Sequence, residues 1–211
     1  MTSILSQIGK LRIVPVIALE NVADASPLAS ALVAGGLPIA EVTFRTAAAA
    51  ESISIMARRG DILVGAGTVL NVDTVKRAVD CGAKFIVSPG FSTKVVSYCV
   101  ANQIPVMPGT ATATDIDAAL DHGLSIVKFF PAEAIGGLKL LKALSAPYGM
   151  MYFMPTGGIT PGNMAEYFKL PSVFACGGSW MVTKELLAEK QFDQITELSA
   201  EAVRLATIAR P

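Results

Sequence analysis

The chain has 211 residues, which is enough for one domain with a large hydrophobic core. Its 17 basic residues balance its 17 acidic residues, so the composition argues against the strongly basic surface of a nucleic-acid-binding protein. Charged residues make up 16% of the chain and hydrophobic residues 52%, a composition that favours many buried strands or additional surface buried between subunits.

The N-terminal segment MTSILSQIGKLR is predicted to form a short amphipathic helix with Ile4, Leu5 and Ile8 on one face. It is too short and too polar for the apolar region of a signal peptide, and no later run reaches the ~18 consecutive apolar residues of a membrane span. We therefore expect a cytoplasmic protein with no membrane partner. No disulfide framework or metal cluster is predicted from the cysteines, which are widely separated: Cys81, Cys99 and Cys176.

Eight apolar runs follow, each rich in β-branched or aromatic residues and each ending at glycine, proline or polar residues. Such runs are typical of short buried strands. In chain order they are RIVPVIAL from residue 12, IAEVTF from 39, ILVGAG from 62, FIVSPG from 85, IPVMPG from 104, IVKFFP from 126, YFMPTGG from 152 and VFACGG from 173.

Helical patterns separate these runs. Residues 24–34 and 71–81 each run up to glycine, and Asn71, Ser92 and Thr160 are predicted to cap helix N-termini. Alternation of strand and helix indicates a parallel sheet, and eight such units predict an α/β fold of the (β/α)8 TIM-barrel type with a short N-terminal helix, formed as a single domain by residues 1–211. The alternative is a doubly wound open sheet, but its glycine-rich first turn is missing from ALENVAD.

Two apolar runs carry an isolated charge. Because side chains alternate along a strand, Glu41, Thr43 and Arg45 of EVTFRT share one face, which is predicted to point to the barrel axis with Arg45 at the mouth. Lys128 lies at the centre of SIVKFFPAE and shares its predicted face with Phe130. Glu41 and Lys128 are therefore expected to meet inside one enclosed space.

The same alternation predicts the ends of two other strands. Val64, Ala66 and Thr68 share one face in the third run and place Thr68 at the mouth, while Thr156 closes the segment FMPT of the seventh run. Catalytic groups of TIM barrels lie at this end of the strands. Both threonines are thus candidates for contacts with a bound molecule.

The pair Lys128 and Glu41 has two interpretations. A buried ion pair that only fixes the core is one, although such pairs contribute little to stability. The other is catalysis: burial favours the neutral amine of a lysine, which attacks carbonyl compounds, and a neighbouring carboxyl group can move protons. The sequence favours an imine-forming Lys128.

Two glycine pairs close the seventh and eighth runs, in PTGGIT and ACGGSW. Loops after strands seven and eight of a barrel often bind phosphate, because glycine lets backbone N–H groups approach an anion. The alternative is that these glycines serve only tight turns. The predicted phosphate-binding residues are Gly157, Gly158, Gly177, Gly178 and Ser179.

Other residues favour structural roles. His122, the one histidine, is predicted to end a helix before Gly123. Because no His, Cys and Asp cluster has ligand spacing, no metal and no cofactor are predicted.

These motifs together resemble one family, the 2-keto-3-deoxy-6-phosphogluconate (KDPG) aldolases, which include the bifunctional 4-hydroxy-2-oxoglutarate (KHG) aldolases. The resemblance extends over nearly the whole chain, and the combination of EVTFRT with VKFFPAE is specific to the family. The motifs that carry it are PVIALENVADASPLASALVAGGLPIAEVTFRT, GAGTVLN, FIVSPGFS, IPVMPGTATATD, VKFFPAE, PTGGITPGN and ACGGSWMV.

The resemblance implies a class I aldolase of the Entner–Doudoroff pathway that reversibly cleaves a phosphorylated keto acid, KDPG, into pyruvate and glyceraldehyde 3-phosphate. It implies that Lys128 forms the Schiff base, that Glu41 moves protons and that Arg45 holds the pyruvate carboxylate. It also implies a homotrimer. The remaining residues implied to line the substrate pocket are Thr68, Pro89, Phe130 and Thr156, with the glycine pairs and Ser179 at the phosphate.

Three alternatives for the function stay open at this point. The preferred substrate is KDPG, its galactonate epimer, or unphosphorylated KHG, because one stereocentre leaves no trace in the sequence. A protein of a different class, a non-catalytic barrel that senses sugar phosphates, is the further alternative, but it has no need for both Glu41 and Lys128.

Overall fold

The computed structural model describes residues 3–208, in which short parallel strands alternate with helices. The strands are β1 (Ile13–Ile17), β2 (Ile39–Thr43), β3 (Leu63–Gly67), β4 (Ile86–Val87), β5 (Val106–Met107), β6 (Gly109–Thr110), β7 (Ile126–Phe129), β8 (Tyr152–Pro155) and β9 (Cys176–Gly178). The helices are α1 (Ser3–Leu11), α2 (Ala25–Ala34), α3 (Ala49–Arg59), α4 (Val72–Asp80), α5 (Thr93–Ala101), α6 (Ala113–Asp121), α7 (Gly137–Ser145), α8 (Pro161–Phe168), α9 (Lys184–Ala188) and α10 (Phe192–Ile208).

The strands form two parallel sheets. Six strands pair in the order β5-β4-β3-β2-β1-β9, and three pair in the order β6-β7-β8. Strands β5 and β6 are the two halves of one predicted run, which Pro108 interrupts because proline has no N–H to donate to a ladder. Each of the eight predicted runs contains a strand, so the prediction of an α/β fold built on parallel strands is confirmed.

Two contacts connect the sheets at β8 and β9. Isolated parallel bridges join Phe153 to Val173 and Thr156 to Gly177. At the other edge, the N–H of Gly109 in β6 donates to the carbonyl of Ser88, directly after β4, at 3.0 Å. The edges of the two sheets therefore contact each other on both sides.

Three predicted helix caps are confirmed. The side chain of Asn71 accepts a hydrogen bond from the N–H of Thr74 at 2.8 Å, and Ser92 caps α5. Thr160 caps α8. The side chains of Asn71 and Ser92 satisfy N–H groups that have no partner within the first helical turn, and the N–H of Thr160 donates to Oδ1 of Asn163 at 2.9 Å.

The core lies between the sheets and the helices. Ile17, Val42, Val127 and Phe129 have no solvent exposure, which is usual for parallel strands covered on both faces. The predicted N-terminal helix is confirmed as α1, whose Ile8 is fully buried. No helix within residues 3–208 has both the length and the apolar character needed to cross a bilayer.

One part of the prediction for the third strand is wrong, because Thr68 does not continue the alternation of Val64 and Ala66. Glu41 pairs in register with Gly65, and Thr43 with Gly67, so the two glycines share the face of Glu41. Val64 and Ala66 lie on the opposite face, while Thr68 has a left-handed φ of 55° and leaves the alternation.

Candidate active site

Lys128 and Glu41 meet in the interior, as predicted. The Nζ atom of Lys128 lies 3.4 Å from Oε1 of Glu41, although 87 positions separate the two residues in the chain. Glu41 is fully buried, and Lys128 is 5% exposed. Buried charges are costly unless they are paired, and a pair that contributes little to stability is retained more readily where it has a chemical role.

Gly67 provides the space for the carboxylate of Glu41. A Cβ atom at Gly67 would lie 2.3 Å from Oε1 and 2.7 Å from Cγ of Glu41, so a side chain there would displace the carboxylate. The second oxygen, Oε2, is buried and has no hydrogen-bond partner among the residues that the structure describes. An unsatisfied buried oxygen is unusual, and it leaves Glu41 with capacity to bind a proton, a water molecule or a substrate group.

One aromatic ring borders the amine. Nζ of Lys128 lies 5.0 Å from the centre of the Phe130 ring, within the range of a cation–π contact. The hydroxyl of Thr110 donates to the carbonyl of Lys128 at 3.2 Å and fixes the strand beside it. This hydroxyl bond joins β7, which carries Lys128, to its neighbour β6.

Arg45 follows β2 and is exposed at its carboxyl end. Its Nε donates to the hydroxyl of Thr43 at 3.1 Å, and that hydroxyl donates to the carbonyl of Ile17 at 2.9 Å. The stem of Arg45 is therefore fixed, while its guanidinium keeps donors for an anion.

Thr68 and Pro89 are half-buried just after the ends of β3 and β4. A Cβ at Gly109 would lie 2.0 Å from the carbonyl oxygen of Pro89, so the backbone of β6 packs directly against this turn. Both residues lie at the same end of the strands as Arg45.

One glycine pair follows β8, and the other lies in β9. Gly157 and Gly158 have φ values of 96° and 81°, which favour glycine. Thr156 is buried, and a Cβ at Gly177 would lie 2.3 Å from its hydroxyl oxygen. The Trp180 ring would be 1.9 Å from a Cβ at Gly178.

The bridge between Thr156 and Gly177 brings the two glycine-rich segments side by side. Ser179 is exposed directly after β9. The predicted phosphate-binding residues therefore lie next to one another, on the same side of the fold as Arg45, at the strand ends.

His122 ends α6, as predicted. Its Nδ1 atom lies 2.7 Å from the carbonyl oxygen of Ala118, one turn earlier in the helix. Residues 3–208 contain no group of three His, Cys, Asp or Glu side chains close enough to hold a metal ion.

A cavity of about 700 Å³ opens at the other end of the strands. Its lining includes Leu11 of α1, Leu63 at the start of β3, and Lys84 just before β4. Asp61, the acidic group in this lining, is paired with Arg59 at 2.8 Å, so no acid and lysine pair comparable to Glu41 and Lys128 is present there. The candidate active site, with Glu41 and Lys128, is therefore distinct from this cavity.

Sequence reasoning missed two residues beside the glycine loop. Glu133 and Tyr167 are joined by a hydrogen bond from the phenol to the carboxylate. The quoted motif VKFFPAE ends at Glu133, but Tyr167 lies in an ordinary helical pattern that carries no signal of this contact.

The chain is similar to known proteins over nearly its whole length. The model of the "KDPG and KHG aldolase" family matches residues 4–198. A 2-dehydro-3-deoxy-phosphogluconate aldolase of Treponema pallidum is 47% identical over 209 residues, covering 99% of this chain and 100% of that protein.

Two solved structures are similar in fold and sequence. The KDPG aldolase of Zymomonas mobilis, solved with 3-phosphoglycerate, has a TM-score of 0.88 and 43% identity over 94% of both chains. The KDPG aldolase of Legionella pneumophila, solved with pyruvate captured as a covalent carbinolamine intermediate, has a TM-score of 0.91 and 38% identity over 94% of this chain and 97% of that chain. With a family match over residues 4–198 and a relative that is 47% identical and aligned over its whole length, the chain belongs to the KDPG and KHG aldolase family.

Proposed function

We propose that this chain is a class I aldolase that reversibly cleaves KDPG into pyruvate and glyceraldehyde 3-phosphate. The observation that carries the proposal is the buried contact of 3.4 Å between Nζ of Lys128 and Oε1 of Glu41. Family membership supports it, as does the carbinolamine that pyruvate forms in the Legionella pneumophila relative.

The proposal includes a closed (β/α)8 barrel, formed as one domain by residues 1–211. It is supported by the contacts that join the two sheets at both edges: the bridge from Thr156 to Gly177 on one side and the bond from Gly109 to Ser88 on the other. A closed barrel gathers the ends of all strands around one axis. Glu41 and Lys128, from strands that are not neighbours, then face each other across it.

The reaction begins with attack of the neutral amine of Lys128 on the C2 carbonyl of KDPG. The resulting carbinolamine loses water, with Glu41 supplying the proton to the departing hydroxyl, and a protonated Schiff base remains. Glu41 is the acid in this account because it is the carboxyl group in contact with Nζ.

Cleavage then breaks the bond between C3 and C4. Glu41, now a carboxylate, removes the proton of the C4 hydroxyl, the C3–C4 electron pair moves into the iminium as an enamine, and glyceraldehyde 3-phosphate leaves. Returning that proton to C3 gives the pyruvate imine, which water hydrolyses to pyruvate and free Lys128. One carboxyl group thus serves each proton transfer in turn.

Arg45 and the glycine loops bind the two anionic ends of the substrate. The guanidinium of Arg45 is the partner of the C1 carboxylate, for which its donors are suited. Gly157, Gly158, Gly177, Gly178 and Ser179 bind the phosphate at the other end. Thr68, Pro89, Phe130 and Thr156 line the pocket between these ends.

A second substrate, KHG, is favoured by one observation: the family whose model matches includes KHG aldolases. KHG has the same keto acid half as KDPG, so Lys128, Glu41 and Arg45 serve both substrates. The phosphate residues have no partner in KHG, and we expect a higher KM for it.

Cleavage assays test the proposal. Purified protein is incubated with KDPG, its galactonate epimer and KHG, and the pyruvate released is measured. The proposal predicts the highest kcat/KM for KDPG; a higher value for the epimer would reassign the substrate, and no pyruvate from any of the three would reject an aldolase.

We also propose a cytoplasmic homotrimer, in line with the family resemblance. Large apolar side chains exposed on the single chain, such as Leu70 and Met150, support contacts between subunits. Light scattering of the purified protein gives the mass of the assembly directly, and a monomer or dimer would overturn this part.

A further inference from the structure

The loop after β8 is held from behind by two groups. The N–H of Glu133 donates to the carbonyl of Gly157 at 3.0 Å, and the side-chain amide of Asn163 donates to the carbonyl of Gly158 at 2.9 Å. In a trans peptide, the carbonyl and the following N–H point in opposite directions. The N–H groups of Gly158 and Ile159 therefore point away from Glu133 and Asn163.

These two N–H groups are available as donors. Within residues 3–208, neither the N–H of Gly158 nor that of Ile159 has a hydrogen-bond acceptor. Successive free N–H groups on a glycine-rich turn form a concave site for an anion. Because the carbonyls of Gly157 and Gly158 are bonded on one side of the loop, the free N–H groups of Gly158 and Ile159 lie on the other side.

The side chain of Glu133 packs across the same loop. A Cβ at Gly158 would lie 2.7 Å from both Cβ and Cγ of Glu133, so the aliphatic part of the side chain covers the glycine. The carboxylate continues past it: Oε1 would lie 3.0 Å from a Cβ at Gly137, the first residue of α7. It ends at the phenol of Tyr167 in α8, which donates to Oε1.

Tyr167 is suited to hold this carboxylate. Its ring is 1% exposed, so the direction of its hydroxyl is fixed by the core of α8. Burial, and next the hydrogen bond to Glu133, raise the pKa of the Tyr167 phenol, which favours its protonated form as the donor to this carboxylate. The carboxylate of Glu133 is thereby turned toward α7 and α8 instead of toward the free N–H groups of the loop.

We propose that Glu133, held by Tyr167, is a positioning residue that fixes the loop at residues 157–159 for the phosphate of the substrate. This inference rests on the proposed function. It adds that preference for phosphorylated over unphosphorylated substrate depends on a residue that does not touch the phosphate. Glu133 links the turn after β7 to α8, and these two segments enclose the loop.

The test compares KM and kcat for KDPG and for KHG in three variants. Glu133→Ala keeps the backbone N–H that bonds the carbonyl of Gly157, but it removes the side chain that packs across Gly158 and bonds Tyr167. Its KM for KDPG is expected to rise about tenfold, equivalent to one loop N–H losing its hydrogen bond to the phosphate, while KM for KHG and both kcat values stay near wild type. Tyr167→Phe is expected to change the same parameter by a smaller factor. Glu133→Gln keeps an oxygen that accepts from Tyr167, so it is expected to stay within about twofold of wild type.

A matched control comes from the same helix as Tyr167. Glu166 is exposed on α8 and pairs with Lys169, so Glu166→Ala removes a carboxylate near the site without touching the loop. We expect wild-type values for both substrates. Equal changes of KM for KDPG and KHG in Glu133→Ala, or no change for either, would overturn the inference.

Titration with inorganic phosphate separates this inference from the proposed function. Calorimetry is expected to show phosphate binding to the wild type and to Glu166→Ala, and binding about tenfold weaker to Glu133→Ala. If the wild type cleaves neither substrate, the proposed function fails and this titration alone decides the inference. Equal phosphate binding by all proteins, or no binding by the wild type, would overturn it.

Discussion

At the scale of single residues, the site depends on one amine and one carboxyl group inside an apolar interior. Strand residues around Lys128, such as Val127 and Phe129, are fully buried. In that setting a carboxyl group at 3.4 Å is both the compensation for the charge and the nearest proton carrier. The contact between Lys128 and Glu41 thus explains how an apolar interior tolerates a buried charge, and it also provides an amine with a group that carries protons.

Glu41→Gln tests the proton carrier. The amide keeps the shape of the side chain but cannot give or take a proton, so we expect kcat for KDPG to fall by about 10²–10⁴-fold. Steady-state kinetics measure the loss, and circular dichroism verifies the fold. A rate within a few fold of wild type would assign the proton transfers to another group.

Gly67→Ala tests whether the carboxylate needs its present position. The added methyl would lie 2.3 Å from Oε1 of Glu41, so we expect the carboxylate to move and kcat to fall. Gly149→Ala is the matched control, because a Cβ at Gly149 has no atom within 4 Å. Equal kcat in both variants would mean that the position of Glu41 is not limiting.

The reactivity of the three cysteines tests how far each thiol is buried in the fold. Desolvation raises the pKa of the Cys99 thiol to about 11, and it also raises the pKa of Cys176. At pH 8 both therefore stay thiols, and because the thiolate is the reactive form, we expect a disulfide reagent to modify only the partly exposed Cys81 in native protein. Cys81→Ser should abolish the reaction, and reaction of a second cysteine before unfolding would contradict the burial.

At the scale of elements, polar caps define where helices begin. Asn71 accepts from both the N–H and the hydroxyl of Thr74, at 2.8 Å and 2.9 Å. These bonds start α4 directly after the turn that carries Thr68. The cap at Asn71 therefore also fixes the end of the turn that carries Thr68, at the mouth of the site.

Asn71→Ala removes this cap. We expect the free energy of unfolding to fall by about 1 kcal/mol, with kcat for KDPG unchanged because Asn71 lies outside the site. Urea unfolding measures the first and steady-state kinetics the second. An unchanged unfolding midpoint would show that water replaces the cap without cost.

At the scale of the whole molecule, strand and helix positions could be predicted from local pattern. The eight apolar runs, α1 and the caps each depend on neighbouring residues, and the structure contains them. The pairing of Lys128 with Glu41 could also be predicted, because an isolated charge in a buried strand requires a partner.

Other features could not be predicted because they depend on contacts between distant segments. The left-handed φ of Thr68 takes this residue out of the alternation of β3, and Pro108 splits the fifth strand. The role of Gly67 depends on Glu41 in a neighbouring strand. The contact of Tyr167 with Glu133 joins residues 34 positions apart, and no periodic pattern records it.

Trapping the imine tests the central claim most directly. The protein is incubated with pyruvate and reduced with borohydride, and the modified peptide is identified by mass spectrometry, with Lys128→Met as the control. We predict a single covalent adduct on Lys128 in the wild type and none in the variant. Folded wild-type protein without an adduct, or with the adduct on another lysine, would contradict the account.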